Sequence, residues 1–355
     1  MPDDPHLPLH FSRDEALRRG LSKHQVTSRV RSGAWTLLHR ARYTETARLT
    51  ALDPAEQHVV RAAALLADGP TGAAVSHLSA AAAFGWPLPL YGAGPPTLTL
   101  PSGAGPTRRR PRGIVQVAGL AERDVQPVRL HVDGEPVQLL CTAPPRTLAD
   151  LLRHLPIADS VAVADAVLRR DEVSAAQLAR TIAQQETWPY AARAALAASR
   201  IDPRRESWLE SFSFCELAAL GLPMAEPQVT IQDASGRFVA RVDGWWDDVC
   251  VALEADGQGK YLADAPGAEA ATDQRASAEQ VATHVRQQLV AQNEREACLR
   301  ELGVVVVRWS TYEIASRPAA VAARAARARG MGSRSRFTGR AIRHGAVPTL
   351  LNSDR

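Results

Sequence analysis

Two helical periods followed by an alternating stretch mark the start of the chain. In Phe11-Ser-Arg-Asp-Glu-Ala-Leu, Ser12 and Glu15 have the spacing of a capping box, and Gly20 is placed to stop the helix they open. A second helix is predicted from Ser22. Val26 and Val30 lie one turn apart on its inward side, Gly33 ends it, and Lys23, Thr27 and Arg31 share another face. Trp35, Leu37 and the stretch from Arg40 to Tyr43 then predict a two-stranded hairpin. Helix, glycine-containing turn, helix and basic hairpin together predict a small winged helix over residues 1–50, with a second helix that suits a major groove.

From 51 to 200 the pattern is mixed. Helices are predicted over Ala55 to Leu66, Ser76 to Phe84, Thr147 to Leu152, Asp159 to Arg169 and Ser174 to Gln184. Strands are predicted over Ile114 to Val117 and Val128 to Val132, after a basic turn at Pro106 to Arg112. Past Asp202-Pro203 the order becomes helix, strand, strand, strand, helix, strand. Ser207 to Leu220 is amphipathic and stops at Gly221, and Gln228 to Gln232 and Arg237 to Asp243 flank the turn Asp233-Ala-Ser-Gly236. Val249 to Asp256 alternates, so that Val249, Val251 and Leu253 share one face and Glu254 and Asp256 the other. Val285 to Leu302 has helical length, and after Gly303 the apolar run Val304 to Trp309 suits a strand covered on both faces. The whole reads as an α/β multidomain chain: winged helix (1–50), mixed α+β middle domain (51–200), α/β sheet domain (201–316) and an Arg-rich tail (317–355) that begins helical and then disorders.

Composition narrows the setting. A chain of 355 residues, 45% of them hydrophobic, can bury the cores of two or three domains. Cys141, Cys215, Cys250 and Cys298 are scattered without metal-ligand spacing, which fits a reducing cytoplasm better than a disulfide framework. No leader pattern and no apolar run near membrane-spanning length is present, so neither export nor a membrane partner is expected. Lys23 and Lys260 are the only lysines among 42 basic residues, a bias that makes arginine count weak support for nucleic acid. The charge is uneven, however: eight basic residues against Asp14 and Glu15 over 12–43, and eight arginines with no acid over 317–353. Basic footprints at two places suit a polyanion, although a charge run is more often a solvated face.

The acids of the C-terminal region carry the chemistry. Asp243 is expected to end one strand, with Glu254 and Asp256 at the end of its neighbour, while Gln292 and Glu296 fall on the inward stripe of the following helix. Converging carboxylates suit Mg²⁺ or Mn²⁺, hard cations that take oxygen ligands, keep several waters, and activate water against a phosphodiester. A structural reading stands beside this one. Ser207 and Glu210 are spaced as a capping box, Asp243-Gly244 and Asp256-Gly257 can simply turn the chain, and Trp245, Trp246 and Trp309 read as packing. Adjacent Ser76 and His77 read as a helix cap and a core or surface residue rather than nucleophile and base, and Arg146 with Asp150 as a structural ion pair.

Two families are resembled. Gly20-Leu-Ser and Arg31-Ser-Gly-Ala-Trp-Thr-Leu-Leu-His-Arg resemble the winged helix of AbiEi-type abortive-infection antitoxins. Ser76-His-Leu-Ser-Ala-Ala, Val132-Asp-Gly-Glu-Pro-Val and Arg146-Thr-Leu-Ala-Asp-Leu resemble the middle region of the same family. Ser207-Trp-Leu-Glu-Ser, Arg241-Val-Asp-Gly, Ala252-Leu-Glu-Ala-Asp-Gly, Arg295-Glu-Ala-Cys-Leu and Gly303-Val-Val-Val-Val-Arg resemble PD-(D/E)XK nucleases of the very-short-patch-repair type. The second resemblance implies Asp243 and Glu254 as metal ligands with Asp256 beside them, Glu210 as an accessory acid, and Glu296 with Arg308 as outer or phosphate-facing groups. The chain departs from the general nuclease motif, which has a lysine two residues after the glutamate, by carrying Asp256 there; the resemblance implies a similar acid in the repair-endonuclease-like relatives, and Lys260 stands four residues further on. The implied partner is double-stranded DNA, met by Lys23, His24, Thr27, Arg31, Arg40 and Arg42. The implied activity is metal-dependent endonuclease cleavage in defence, repair or mobile-element control. The alternative is an antitoxin-like transcriptional autoregulator with a silent nuclease fold and a cognate toxin as partner.

Overall fold

A computed structural model describes residues 6–101, 108–110, 113–257 and 292–345. The chain divides into two compact units, one of Met1–Pro156 with Arg170–Leu196 and one of Ile157–Arg169 with Ala197–Arg355. Each contains helices and sheet, and no described helix is long and apolar enough to cross a membrane.

The first unit opens with β1 (Phe11–Ser12), α1 (Arg13–Arg18), α2 (Lys23–Arg31), β2 (Trp35–His39) and β3 (Arg42–Glu45). The capping box predicted at Ser12 forms, and a second one, not predicted, opens α2 at Ser22. Ser12 Oγ accepts from the Glu15 amide at 3.1 Å while the Glu15 carboxylate accepts the Ser12 amide at 2.8 Å, and Ser22 and Gln25 repeat the exchange at the start of α2. Gly20, at φ +98°, makes the turn between the helices. The hairpin gains a third strand, since β1 pairs with β3 and gives the order β1-β3-β2. Phe11, Ala16, Leu21, Val26 and Trp35 close a small core, with the Phe11 and Trp35 rings edge to face at 4.7 Å.

Beyond α3 (Thr46–Ala51) and the buried α4 (Pro54–Ala67) lies a six-stranded sheet with α5 (His77–Ala83). Its strands are β4 (Ala74–Val75), β5 (Thr97–Leu100), β6 (Arg108–Arg110), β7 (Gly113–Val117), β8 (Val125–Val132) and β9 (Glu135–Thr142), in the order β6-β7-β5-β4-β9-β8. Helix α6 (Pro144–His154) carries Arg146, Asp150 and Arg153 as a buried ionic row. Arg146 Nε stands 2.9 Å from Asp150, Arg153 takes the second carboxylate oxygen, and both guanidiniums stack on Trp188. The pair expected from sequence is therefore structural and larger than expected.

The second unit begins with α7 (Ile157–Arg169), which packs on α10 (Trp208–Ala219). Between them in sequence come α8 (Ala175–Gln184) and α9 (Ala191–Ala198). Assigning everything up to residue 200 to a middle domain thus divides the chain differently from its packing, because Asp165 on α7 is buried against Arg205 at 2.8 Å. The sheet contains β10 (Glu226–Gln232), β11 (Phe238–Trp246), β12 (Val251–Asp256), β13 (Val305–Ser310) and β14 (Arg340–Ile342), in the order β13-β12-β11-β10-β14. Within it only β12 and β13 run parallel, so the sheet is mixed. One face packs on Leu209, Phe214 and Leu217 of α10, and the other gathers Val229, Ile231, Ala252 and Leu299, the last from a helix over 292–301, α11.

The arginine-rich tail is not a loose appendage over its described part. After α12 (Thr311–Ser316), α13 (Pro318–Met331) buries Val321, Ala322, Ala325 and Ala328 against the sheet, and β14 adds an edge strand to β10. Arg329 pairs with Asp248, and Arg334 and Arg343 pair with Asp247, in the turn between β11 and β12. Small apolar residues between the arginines supply the packing that the charge count conceals.

Candidate functional site

Strands β11 and β12 pair only from Trp246↔Val251 to Gly244↔Leu253 and then part, β11 staying with β10 and β12 with β13. The opening is bridged by a side chain: Asp243 Oδ2 accepts the Ala255 amide at 2.8 Å. Asp243 therefore lies inside a strand that continues to Trp246, not at its end. Glu254, next to Ala255, is 8% exposed. Burial pushes its pKa up to about 8, with the nearby Asp243 charge adding to the rise and Arg308 and Arg295 opposing it.

The third acid of the expected set goes elsewhere. Asp256 stands 3.2 Å from Arg308 Nε, and the Glu296 carboxylate divides between Arg300 on its own helix and Arg308 at 3.9 Å. Among the described residues no group of three or more His, Cys, Asp or Glu side chains is arranged to hold a metal ion. The trio of Asp243, Glu254 and Asp256 thus reduces to a carboxylate pair, because the adjacent guanidinium draws Asp256 away. A pair still fits a hard divalent cation of the Mg²⁺ type, which takes one or two carboxylates and keeps its waters. Asp243 and Glu254 would hold it.

Glu210 is fully engaged in shaping its own region. Its oxygens accept the Glu206 amide at 2.9 Å, the Ser207 hydroxyl at 2.8 Å and the Gln228 amide at 2.8 Å, while Ser207 Oγ caps the Glu210 amide. In the structure Glu210 acts as a cap and strand anchor. Gln228, overlooked in the sequence, sits at φ +56° and also accepts from Arg241 Nε at 2.6 Å. A polar residue in an otherwise inward-facing strand position was its only signal. Gln292 is half-buried on α11. Lys260 lies outside the described residues.

On the first unit, Lys23, His24, Thr27 and Arg31 are all exposed along α2, and Arg40 is exposed in the hairpin turn at φ +44°. Arg42 departs from this group. Its Nε is 2.9 Å from Asp68 and its Nη1 3.8 Å from Glu15, so it ties β3 to the scaffold rather than facing outward. The other candidate pair does meet: His77 Nδ1 and Ser76 Oγ are 3.0 Å apart. Both are buried, Ser76 also accepts from Thr99 at 2.8 Å, and burial lowers the His77 pKa to about 4. This is an interior polar contact without access for a substrate.

Comparison with family models and with curated proteins returns no match for this chain.

Proposed function

We propose that this chain is a DNA-binding protein whose second unit is a divalent-metal-dependent endonuclease. The observation that carries the reading is the Asp243 and Glu254 pair, sunk in the opening between β11 and β12 with a mutual repulsion that a cation would relieve. Asp243 is fixed by the Ala255 amide, and Glu254 lies buried next to that residue. Asp243 and Glu254 would hold a divalent ion, which would supply Lewis acidity for the attack of water on a phosphodiester. The α2 face, with Lys23, His24, Thr27 and Arg31 exposed behind a glycine turn and beside a basic hairpin, supports a winged helix reading duplex DNA.

The test is cleavage of supercoiled plasmid by wild type and by Glu254→Ala of verified fold, with Mg²⁺ or Mn²⁺ and with chelator. Metal-dependent nicking by wild type, lost in the variant, is the expected result. Intact plasmid under every condition would sink the nuclease reading.

A second reading is favoured by one observation, the Asp256 carboxylate at the motif position of lysine and its attachment to Arg308. On that reading the fold is catalytically silent and the protein is an autoregulator of the antitoxin type, with a toxin as partner. Retained binding to its own promoter, with no cutting and no effect of cation, would be its signature.

A further inference from the structure

We propose that a cavity between the end of α7 and the β10–β11 pair is a phosphate-binding site. The second unit leaves about 580 Å³ there, lined by stretches far apart in sequence. Arg169 comes from the end of α7, Arg204 and Glu206 from the turn before α10, Arg241 from β11, and His344 from the chain beyond β14. Among the described residues, three guanidiniums thus meet a single lining carboxylate. A concave wall of this kind raises the local concentration of anions. These charges act whether or not the carboxylate pair cuts a strand.

Each cation is held differently. Arg204 bonds Asp202 at 2.7 Å and Glu226 at 2.6 Å, acids that stand outside the lining, and donates to the His344 carbonyl at 3.3 Å. Arg169 donates to the Arg205 carbonyl, and no carboxylate of the described residues stands within ion-pair distance of it. Arg241 Nε donates to Gln228 at 2.6 Å, and its Nη2 pairs with Glu206, the two side chains being 43% and 56% exposed. An ion pair so open to water is worth little, so an anion's oxygens can take the place of the Glu206 carboxylate. Guanidiniums directed from three elements suit a group with oxygens in three directions, which a phosphate has and a carboxylate lacks.

The cavity adjoins the carboxylate pair. Gln228, which lines it, stands across from Asp243 between the pairs Pro227↔Gly244 and Val229↔Val242. Arg241 and Asp243 share one face of β11, about 7 Å apart along the strand, roughly one nucleotide step between phosphates. A nucleic-acid strand with one phosphate at Asp243 and Glu254 therefore brings a neighbouring phosphate to Arg241. A free nucleotide offers the same chemistry, and the experiment separates the two sources.

Binding is measured on the full-length protein in chelator, so that cutting plays no part. Inorganic phosphate and AMP are titrated by calorimetry, and a short fluorescent duplex is followed by anisotropy across a salt series. The variants are Arg169→Gln, Arg241→Gln, Arg241→Lys, Glu206→Gln and, outside the cavity, Arg237→Gln in the β10–β11 turn; thermal melting verifies each fold. Arg169→Gln and Arg241→Gln are each expected to weaken phosphate binding roughly three- to tenfold, Arg241→Lys to recover part of it, and Arg237→Gln to change nothing. Glu206→Gln removes the competing carboxylate and is expected to tighten binding about two- to fivefold, whereas loss of a merely structural pair would leave it unchanged or weaker. With a strand as the source, each cavity variant also lowers the duplex salt slope by about 1; with a free nucleotide as the source, AMP binding falls and the duplex is unaffected. Unchanged binding of every probe in both cavity variants overturns the proposal, and so does an equal loss in Arg237→Gln. Failure of plasmid nicking removes the nuclease reading and leaves these binding results standing.

Discussion

A carboxylic acid lowered into a protein interior beside another carboxylate can relieve the repulsion by holding a proton or by taking a cation. Glu254 stands in that position, with its pKa raised to about 8 from an ordinary 4.5. A raised acid has its full stability below the unfolded value and loses it as pH climbs through the folded one, here between about 4.5 and 8. Glu254→Gln should therefore stabilise the metal-free protein at pH 8 by on the order of 3 kcal/mol while abolishing any stabilisation by Mn²⁺. Denaturant titration with and without Mn²⁺ checks this, and a destabilised variant would contradict it. His58 works in the opposite sense. Its Nε2 lies 2.7 Å from Ser79 Oγ, and burial lowers its pKa to about 4 from 6.5. The unfolded chain then binds the extra proton between these values, so stability is complete above pH 6.5 and falls by about 3 kcal/mol as pH drops through 4. His58→Gln should flatten that part of the stability profile, as read from urea midpoints between about pH 7.5 and pH 4.

Elements were legible from sequence where local signals and tertiary packing agreed. The cap at Ser12, the helix start at Ser22, the turn at Gly20 and the apolar run after Gly303 all lie where one stretch of chain dictates its own conformation. β4 and β5 left no comparable trace, because Ala74-Val75 and Thr97 to Leu100 become strands only by joining distant partners in the six-stranded sheet. Within the site, the approach of Asp243 to Glu254 was legible from two neighbouring strands joined by a short turn, whereas strand alternation grouped Glu254 with Asp256. The diversion of Asp256 was not legible, since it depends on the lateral register of β12 against β13. Gly303 makes the local rule testable. It lies at φ +83°, and a Cβ there would meet the Arg336 carbonyl oxygen at 2.3 Å. Gly303→Ala should cost several kcal/mol, about 3 or more, through both backbone strain and collision with main chain. Calorimetry should show the loss in the second unit's transition alone.

Two compact units give the whole molecule two cooperative cores, and unfolding should show two transitions unless one conceals the other. Divalent cation should raise only the transition belonging to residues 157–169 and 197–355, by the mass-action amount, about 2.7 kcal/mol at one hundred times the dissociation constant. Differential scanning calorimetry in Mn²⁺ and chelator checks this; a shift of both transitions would indicate a cation site elsewhere. Deleting residues 333–355 should weaken the same unit, since it removes β14 and the Arg334 and Arg343 contacts with Asp247.

The backbone passes between the units three times, at residues 156, 169 and 196, because α7 packs with the chain beyond α9. A recombination event that exchanged the gene's second half at codon 200 would leave that helix behind, stranding Asp165 in one product and Arg205 in the other. A chimaera that kept both units whole would have to take α7, thirteen residues, from the same parent as the chain beyond α9.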